Sequence, residues 1–463
     1  MAPRHRLSDR RRHPVPLNEV PVRRVPAIVL SSLLLSLAGF GAFGCGSEVT
    51  LRDPTGSGGA GGSTATTSSD ATASASSGVT STGSGGGVFC PGLVVGGESA
   101  ILVNDGFPTR IALTPGSGDG ALSILAYAEG PSELRFIGFS PWNGWPEPLP
   151  GPYPSASLEG GESFAVWGAP GDRLGAVFRE TTPDGSLLVV APSVDVMAPG
   201  AAMRSPIPTA KRALAASVRE AADGRQVLAV VEEESVSPDG LPLFVTRHVL
   251  SSPATPLTLS EPDGCSNGPQ WASAFPVDFG FRLVTLGAPS GGGCESTGYA
   301  SALRAILLDS AGGTIALSYL DRGFPIADVA VAPTDTGAVI FHTAIMNALS
   351  PLWVIDWHEA TGTFGEPVQL TAPFQGYGPI AAATVGPVTA VAYGIQDPST
   401  GGPGVGVSIV SAGKATTHLD LPAVDFVDRL ALLGSPYGTS LTLAYSTAKG
   451  EVRVMRIDCI GAL

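Results

Sequence analysis

The feature that most constrains this chain is a repeat running through its C-terminal four-fifths. A short apolar segment, a turn and a stronger β-branched or aromatic segment recur from about residue 90 to residue 463. Ile111-Ala112-Leu113 precedes LSILAYA, Phe164-Ala165-Val166-Trp167 precedes LGAVFRE, and Leu214-Ala215-Ala216 precedes QVLAVVE. Trp271-Ala272-Ser273, Val329-Ala330-Val331, Ile380-Ala381-Ala382 and Leu430-Ala431-Leu432 open four further units. One equivalent position in each stronger segment falls at Tyr127, Phe178, Val230, Leu286, Phe341, Tyr393 and Tyr445, in steps of 51, 52, 56, 55, 52 and 52. A third segment follows each time, such as ELRFIGF, LWVIDW or EVRVMRI, and a fourth in most units, such as TIALSY or ATTHLDL. Even spacing means that one supersecondary unit is repeated, each copy burying its apolar faces against its neighbours.

Segments of this length, with 61 Gly and 41 Pro in the chain, read as short strands joined by tight turns and not as helices. Repeats of four strands resemble the blades of a β-propeller. The expectation is an all-β, seven-bladed propeller of four-stranded antiparallel blades over residues 90–463, with six or eight blades, a pair of β-sandwiches or a β-solenoid as alternatives. The likeness is architectural. The sequence lacks the Trp-Asp and Gly-His blade motifs and the Asp-box of sialidases, so it names no subfamily.

The N-terminus has a different composition. Seven Arg lie within residues 1–44, followed by the uncharged run AIVLSSLLLSLAGFGAFG and then Cys45. Ala42-Phe43-Gly44-Cys45 resembles the lipobox of bacterial lipoproteins, with a small residue before the Cys but without the usual Leu at its first position. The resemblance implies a signal peptide over 1–44, lipidation of Cys45, and a place in the cell envelope. Gly46 after the Cys implies the outer membrane, facing periplasm or surface. An uncleaved membrane anchor and plain secretion are the alternatives, since 18 uncharged residues approach the ~20 that span a bilayer. Residues 45–89 read as a Gly/Ser/Thr-rich tether with too little apolar bulk to offset ordering entropy, and are expected to be disordered.

Without residues 1–44 the chain holds 19 Lys and Arg against 38 Asp and Glu, about −19 in net charge. Such a body repels phosphate backbones, so nucleic acid is not an expected partner. A lipid-anchored monomer contacting an envelope protein or glycan is expected.

With Cys45 assigned to lipid, four cysteines remain in an oxidising compartment, and sequence alone permits three pairings. The propeller arrangement selects one. Cys459 would end the third strand of the last blade, and Cys90 would begin a strand (about 92–103) completing that blade as its fourth, so the two meet on one face. Cys265 and Cys294 would meet on the other. Cys90–Cys459 and Cys265–Cys294 are therefore the expected disulfides, with free buried thiols as the alternative.

No catalytic motif, metal motif or cofactor fingerprint is found. Gly434-Ser435-Pro436-Tyr437-Gly438 has its Ser one place too early for a nucleophile elbow and falls in a hairpin turn. His248, His342, His358 and His418 form no ligand spacing, and Asp356, His358 and Glu359 read as a solvated strand end. Pro141-Trp142-Asn143-Gly144-Trp145-Pro146 reads as an aromatic lid over a blade edge, with a sugar platform as the alternative. In a propeller, ligands meet the face carrying the blade crossings and the second-to-third turns. Asp263, Glu295, Asp321, Asp397 and Asp425 lie in those loops and are the expected ligand-face residues. The expected function is a binding or scaffold platform for protein or glycan; a polysaccharide lyase or glycoside hydrolase is the alternative.

Overall fold

The computed structural model describes residues 90–96, 100–103, 110–115, 123–129, 133–139, 153, 164–169, 173–182, 185–196, 205–208, 210–221, 224–236, 242–251, 255–260, 271–287, 301–344, 351–370, 376–396, 402–423, 425–435 and 438–460. All belong to one compact unit, Thr82–Leu463. The expected leader, Cys45, the whole tether, the Cys265–Cys294 pair, Asp263, Glu295, Asp397 and the 141–146 segment lie outside the described residues.

Every described element is a strand. The N-terminal β1 (Gly92–Val95) and β2 (Ala100–Val103) are set apart from the meander that follows. β3 (Ile111–Pro115), β4 (Ser123–Glu129) and β5 (Glu133–Phe139) form one antiparallel sheet. β6 (Phe164–Ala169), β7 (Arg173–Thr182), β8 (Gly185–Asp195) and β9 (Ser205–Pro208) form the next. β10 (Ala210–Ala221), β11 (Gly224–Val236), β12 (Pro242–Ser251) and β13 (Thr255–Ser260) form a third. β14 (Trp271–Val277), β15 (Gly280–Gly287), β16 (Ala302–Asp309) and β17 (Thr314–Asp321) form a fourth. β18 (Ile326–Thr334), β19 (Gly337–Ala344), β20 (Leu352–His358), β21 (Thr363–Phe364) and β22 (Val368–Gln369) form a fifth. β23 (Gly376–Val385), β24 (Val388–Gln396), β25 (Pro403–Ser411) and β26 (Lys414–Pro422) form a sixth. β27 (Val427–Gly434), β28 (Ser440–Thr447) and β29 (Glu451–Ile460) complete the chain, and β29 pairs outward with both β1 and β2.

The first strand of each sheet lies beside the first strand of the next, and β27 lies beside β3, so the inner strands close on themselves. This is an all-β propeller. The expected wheel of identical four-stranded blades is nevertheless corrected by the sheets themselves. Among the described residues the β3–β5 sheet has three strands, β20 carries two short outer strands in place of one, and β29 carries two N-terminal strands. The reason is the outermost segment of each sheet. The sequence between β5 and Tyr153 holds prolines at 141, 146, 148, 150 and 152, which have no N–H to give a ladder, and Tyr153 donates its N–H to Leu134 O at 2.8 Å. Between β21 and β22, Gly365 still donates its N–H to Asp356 O at 2.7 Å, and the ladder is interrupted at Glu366-Pro367, where Pro367 has no N–H to give.

Burial explains the pattern of apolar residues. The middle strands are covered on both faces: β15 is buried at all eight positions and β16 at seven of eight. Alternate residues of β15 enter different interfaces. Phe281 and Leu283 join Ala215 and Leu228 from the sheet before, whereas Val284 and Leu286 join Ile340 and Trp357 from the sheet after. Clusters of the same kind fill the spaces between the β6–β9 and β3–β5 sheets, between the β18–β22 and β23–β26 sheets, and between β27–β29 and both of its neighbours. Outer strands such as β17 and β26 are largely exposed. Two glycines let aromatic rings lie flat across a strand: a Cβ on Gly406 would meet the Tyr393 ring at 2.6 Å, and one on Gly175 would meet Trp167 at 1.9 Å.

Polar staples cross between sheets on the face opposite the crossings. Arg282 of β15 donates to Glu359, to Thr334 O at 2.7 Å, to Gly337 O at 3.0 Å and to Asp335 O at 3.3 Å. Glu359, read above with His358 as a solvated strand end, is therefore the partner of a buried guanidinium, while His358 is exposed.

The ring closes where the two ends meet. β1 pairs Gly92–Val95 with Ile460–Ile457, and β2 pairs Ala100–Val103 with Val454–Glu451, a two-residue slip between the ladders. Cys90 and Cys459 are disulfide-bonded, 4.8 Å apart at Cα and 369 residues apart in sequence. Cys90 is fully buried with φ of +56°, a conformation costly for a residue with a Cβ, and Thr417 of the neighbouring sheet donates to its carbonyl at 2.7 Å. The bridge removes a very large loop from the unfolded ensemble. C90S/C459S is therefore expected to lose about 2–5 kcal/mol in urea unfolding, with hydrogen exchange rising first along β1, β2 and β29.

Candidate functional site

Because the inner strands start on one face, the residues at their N-terminal ends converge there. A cavity of about 560 Å³ opens among Arg110 before β3, Trp271 at the start of β14, Ala327–Val329 on β18, Pro379 and Ile380 on β23, and Val427–Leu430 on β27. The loops entering it are the crossings from one sheet to the next. Two carboxylates (Asp328, Asp428), two guanidinium groups (Arg110, Arg429) and one indole line a wall that is otherwise aliphatic.

Asp328 is the most constrained of these. Its Oδ1 accepts the N–H of Val329 at 2.9 Å and its Oδ2 accepts the N–H of Ile380 at 2.8 Å, tying β18 to β23. Burial pushes its carboxyl up to about 6, against the pull of these two N–H groups and of Arg429. Asp428 and Arg429 sit together, with 3.9 Å between Oδ2 and Nε, and Arg429 also donates to the Asp428 carbonyl at 2.9 Å. Trp271 is half-buried, packed at the edge of the cluster that holds Leu286 and Ile340.

Of the acidic residues expected on this face, the two that are described serve their own loops. Asp321 accepts Ser301 Oγ and Gly323 N–H, each at 2.9 Å, and so shapes the crossing into β18. Asp425 accepts the N–H of Phe426 and pairs with Lys449 at 3.1 Å; these contacts hold its carboxyl below the usual range. Neither lines the cavity, and no group of three metal-ligating side chains occurs among the described residues. Sequence reading passed over the cavity residues because they stand one or two places before the apolar triplets that mark the inner strands. A charge directly before such a triplet, as in Asp328-Val329 or Asp428-Arg429-Leu430, is the signal that could have found them.

The structure also assembles a chain that spacing did not suggest. Ser408 Oγ lies 3.0 Å from His418 Nδ1, His418 Nε2 lies 2.7 Å from Asp420 Oδ1, and the Tyr393 hydroxyl lies 3.1 Å from both Ser408 and His418. The composition matches a nucleophilic triad, but Ser408 is fully buried at 0% exposure, and a nucleophile must reach its substrate. This chain is a hydrogen-bonded brace across β24, β25 and β26. Its trace in the sequence is His418-Leu419-Asp420, whose alternation puts both polar groups on one strand face. Ser435, in the rejected elbow, sits in the hairpin between β27 and β28.

The Asp328 carboxyl has a pH consequence. Its folded pKa near 6 exceeds the ordinary 3.8, so between these values the folded state holds more proton than the unfolded state. By linkage this group lowers stability as pH rises from about 4 to about 6. His342 acts in the opposite sense: burial and Arg322 hold it down to about 3, so it removes stability as pH falls below about 6.5. Comparing D328N with the parent chain from pH 4 to 7 by chemical unfolding should show the falling contribution removed, by about 1–3 kcal/mol across the window, leaving the rising His342 slope.

No protein-family model matches the sequence, and no curated protein is detectably similar to it. Among solved structures, hydrazine synthase of Kuenenia stuttgartiensis is 15% identical, with a TM-score of 0.45 over 76% of this chain and 96% of that one. The Aleuria aurantia lectin, described as a six-bladed β-propeller with a fucose recognition mode, is 12% identical, with a TM-score of 0.40 over 69% of this chain and 98% of that one. A subtype N10 neuraminidase-like protein of A/little yellow-shouldered bat/Guatemala/060/2010 is 12% identical, with a TM-score of 0.38 over 79% of this chain and 99% of that one. Likeness at this level carries no ligand or activity across to this chain.

Proposed function

We propose that this chain is a cell-envelope lipoprotein, anchored through Cys45, whose propeller binds glycan at the axial cavity. The observation that supports it is the composition of that cavity: an indole edge beside two carboxylates and two guanidinium groups, at the point where the inner strands converge. Sugars combine apolar C–H faces with hydroxyls that both donate and accept, and such a wall meets both requirements. A concave site of about 560 Å³ suits a few sugar rings better than the flat contact of a protein partner. A tether between lipid and propeller would leave this face free to sample the envelope.

The hydrolase reading has weaker support. A glycosidase needs one carboxyl as proton donor and a second across the cleft. Asp328 has the raised pKa of such an acid, but both of its oxygens already accept main-chain N–H groups, which fix it as a strand clasp.

Glycan-array binding of the full chain tests the proposal. W271F and R429Q should each weaken the bound glycan by about tenfold or more while leaving the melting temperature within a few degrees. C45A should lose acyl labelling and leave the membrane fraction. Binding that ignores both cavity variants would reject the axial site, and hydrolysis of the bound glycan would replace the binding reading.

A further inference from the structure

A second group of side chains stands on the same face, in the crossing from β17 to β18, five residues before the cavity wall begins at Ala327. Arg322 packs over two neighbouring aromatic rings, its Cζ 5.0 Å from the Phe324 centroid and 4.9 Å from that of Trp353, the two centroids being 6.2 Å apart. Its Nε donates to His342 Nε2 at 3.2 Å. His342 is completely buried and neutral, so this nitrogen offers a lone pair and no competing charge. His342 and Trp353 are cross-strand partners on β19 and β20, with their rings 8° from parallel. The main chain is fixed as well: Arg322 N–H donates to Ser301 O at 3.0 Å, and Gly323 takes the left-handed turn at φ +68°.

The guanidinium is thus held at its Nε edge by His342 and against the Phe324 and Trp353 rings, while its two Nη groups have no acceptor among the described residues. The nearest carboxylate in sequence, Asp321, is turned onto Ser301 and the Gly323 N–H. In a body carrying about twice as many acidic as basic residues, a half-buried guanidinium with no carboxylate partner among the described residues is conspicuous. Burial alone lowers its affinity for its proton. Arginine remains charged in proteins, so the structure leaves the charge to be met from outside. Arg282, also packed between two sheets, shows the contrast: every edge of its guanidinium meets a carboxylate or carbonyl of this chain.

We infer that Arg322, packed against Phe324 and Trp353 and braced by His342, is a clamp for the carboxylate of a uronic-acid-bearing glycan. The planar fork of two Nη groups matches a carboxylate through two parallel hydrogen bonds. A single carboxylate per ring fits a strongly acidic body better than a multiply charged phosphate, which that body repels. The choice of glycan over acidic peptide rests on the reading of the axial cavity on this face.

Isothermal titration of the full chain with trigalacturonate, with a neutral galactose trisaccharide and with a glutamate-rich peptide tests the clamp. The parent chain should bind the uronate at least about tenfold more tightly than the neutral trisaccharide. R322Q should erase that preference and leave neutral binding unchanged. R322K, which keeps the charge without the fork, should retain only part of it and covers the case in which R322Q loses its fold. Equal binding of acidic and neutral trisaccharides, with W271F weakening both, would overturn the clamp and leave the axial site standing. Preference for the peptide would overturn the ligand class. Binding of neither saccharide would overturn both readings.

Discussion

The hydrogen bonds between β29 and the strands at the other end of the chain hold the remaining structure in place. Each sheet buries both faces of its middle strands, so no sheet is complete without a neighbour on either side. A row of such sheets has two unsatisfied faces at its ends, and the only way to cover both is to bring the ends together. The last sheet does this with material from both termini, and the Cys90–Cys459 bridge joins the chain at that seam. Thr417 ties the same point to the sheet before it, through the carbonyl of a residue in a strained conformation.

Closure also produces the site. Inner strands that run in a common direction bring their first residues together around the axis, and charges there lose water to their neighbours. Asp328 shows the result: it spans two inner strands, and its acidity falls because its surroundings disfavour the anion. The two faces are finished differently. On the side opposite the crossings the buried Arg282 is saturated by internal acceptors, whereas on the crossing side the half-buried Arg322 has no acceptor for its Nη groups among the described residues.

How much of this was legible in the sequence depended on burial. The large apolar positions at Tyr127, Phe178, Leu286, Phe341, Tyr393 and Tyr445 recur because each is packed between sheets, and all six are buried on second strands. Outer strands were harder to read. Exposed positions on β17 or β26 tolerate almost any residue, and Pro367 has no N–H to give between β21 and β22, so a uniform four-strand unit was the wrong generalisation. The acidic loop residues were legible as charges but not as roles: Asp321 and Asp425 turn inward to their own loops, while Asp328 and Asp428, hidden at strand starts, line the cavity.

Periodicity by itself determined that this chain folds into repeated antiparallel sheets with apolar middle strands, because alternation and even spacing reflect local backbone geometry and shared burial. Its acidic balance set the expectation that nucleic acid is not a partner, because net repulsion needs no coordinates. Tertiary structure alone decided which polar side chains meet: Ser408 with His418 and Asp420, Asp328 with Ile380, Arg322 with His342 and two rings. Those meetings join residues on different strands and, for Asp328, on different sheets. Their distances depend on register, sheet twist and the closing of the ring, none of which is written in the spacing of residues along the chain.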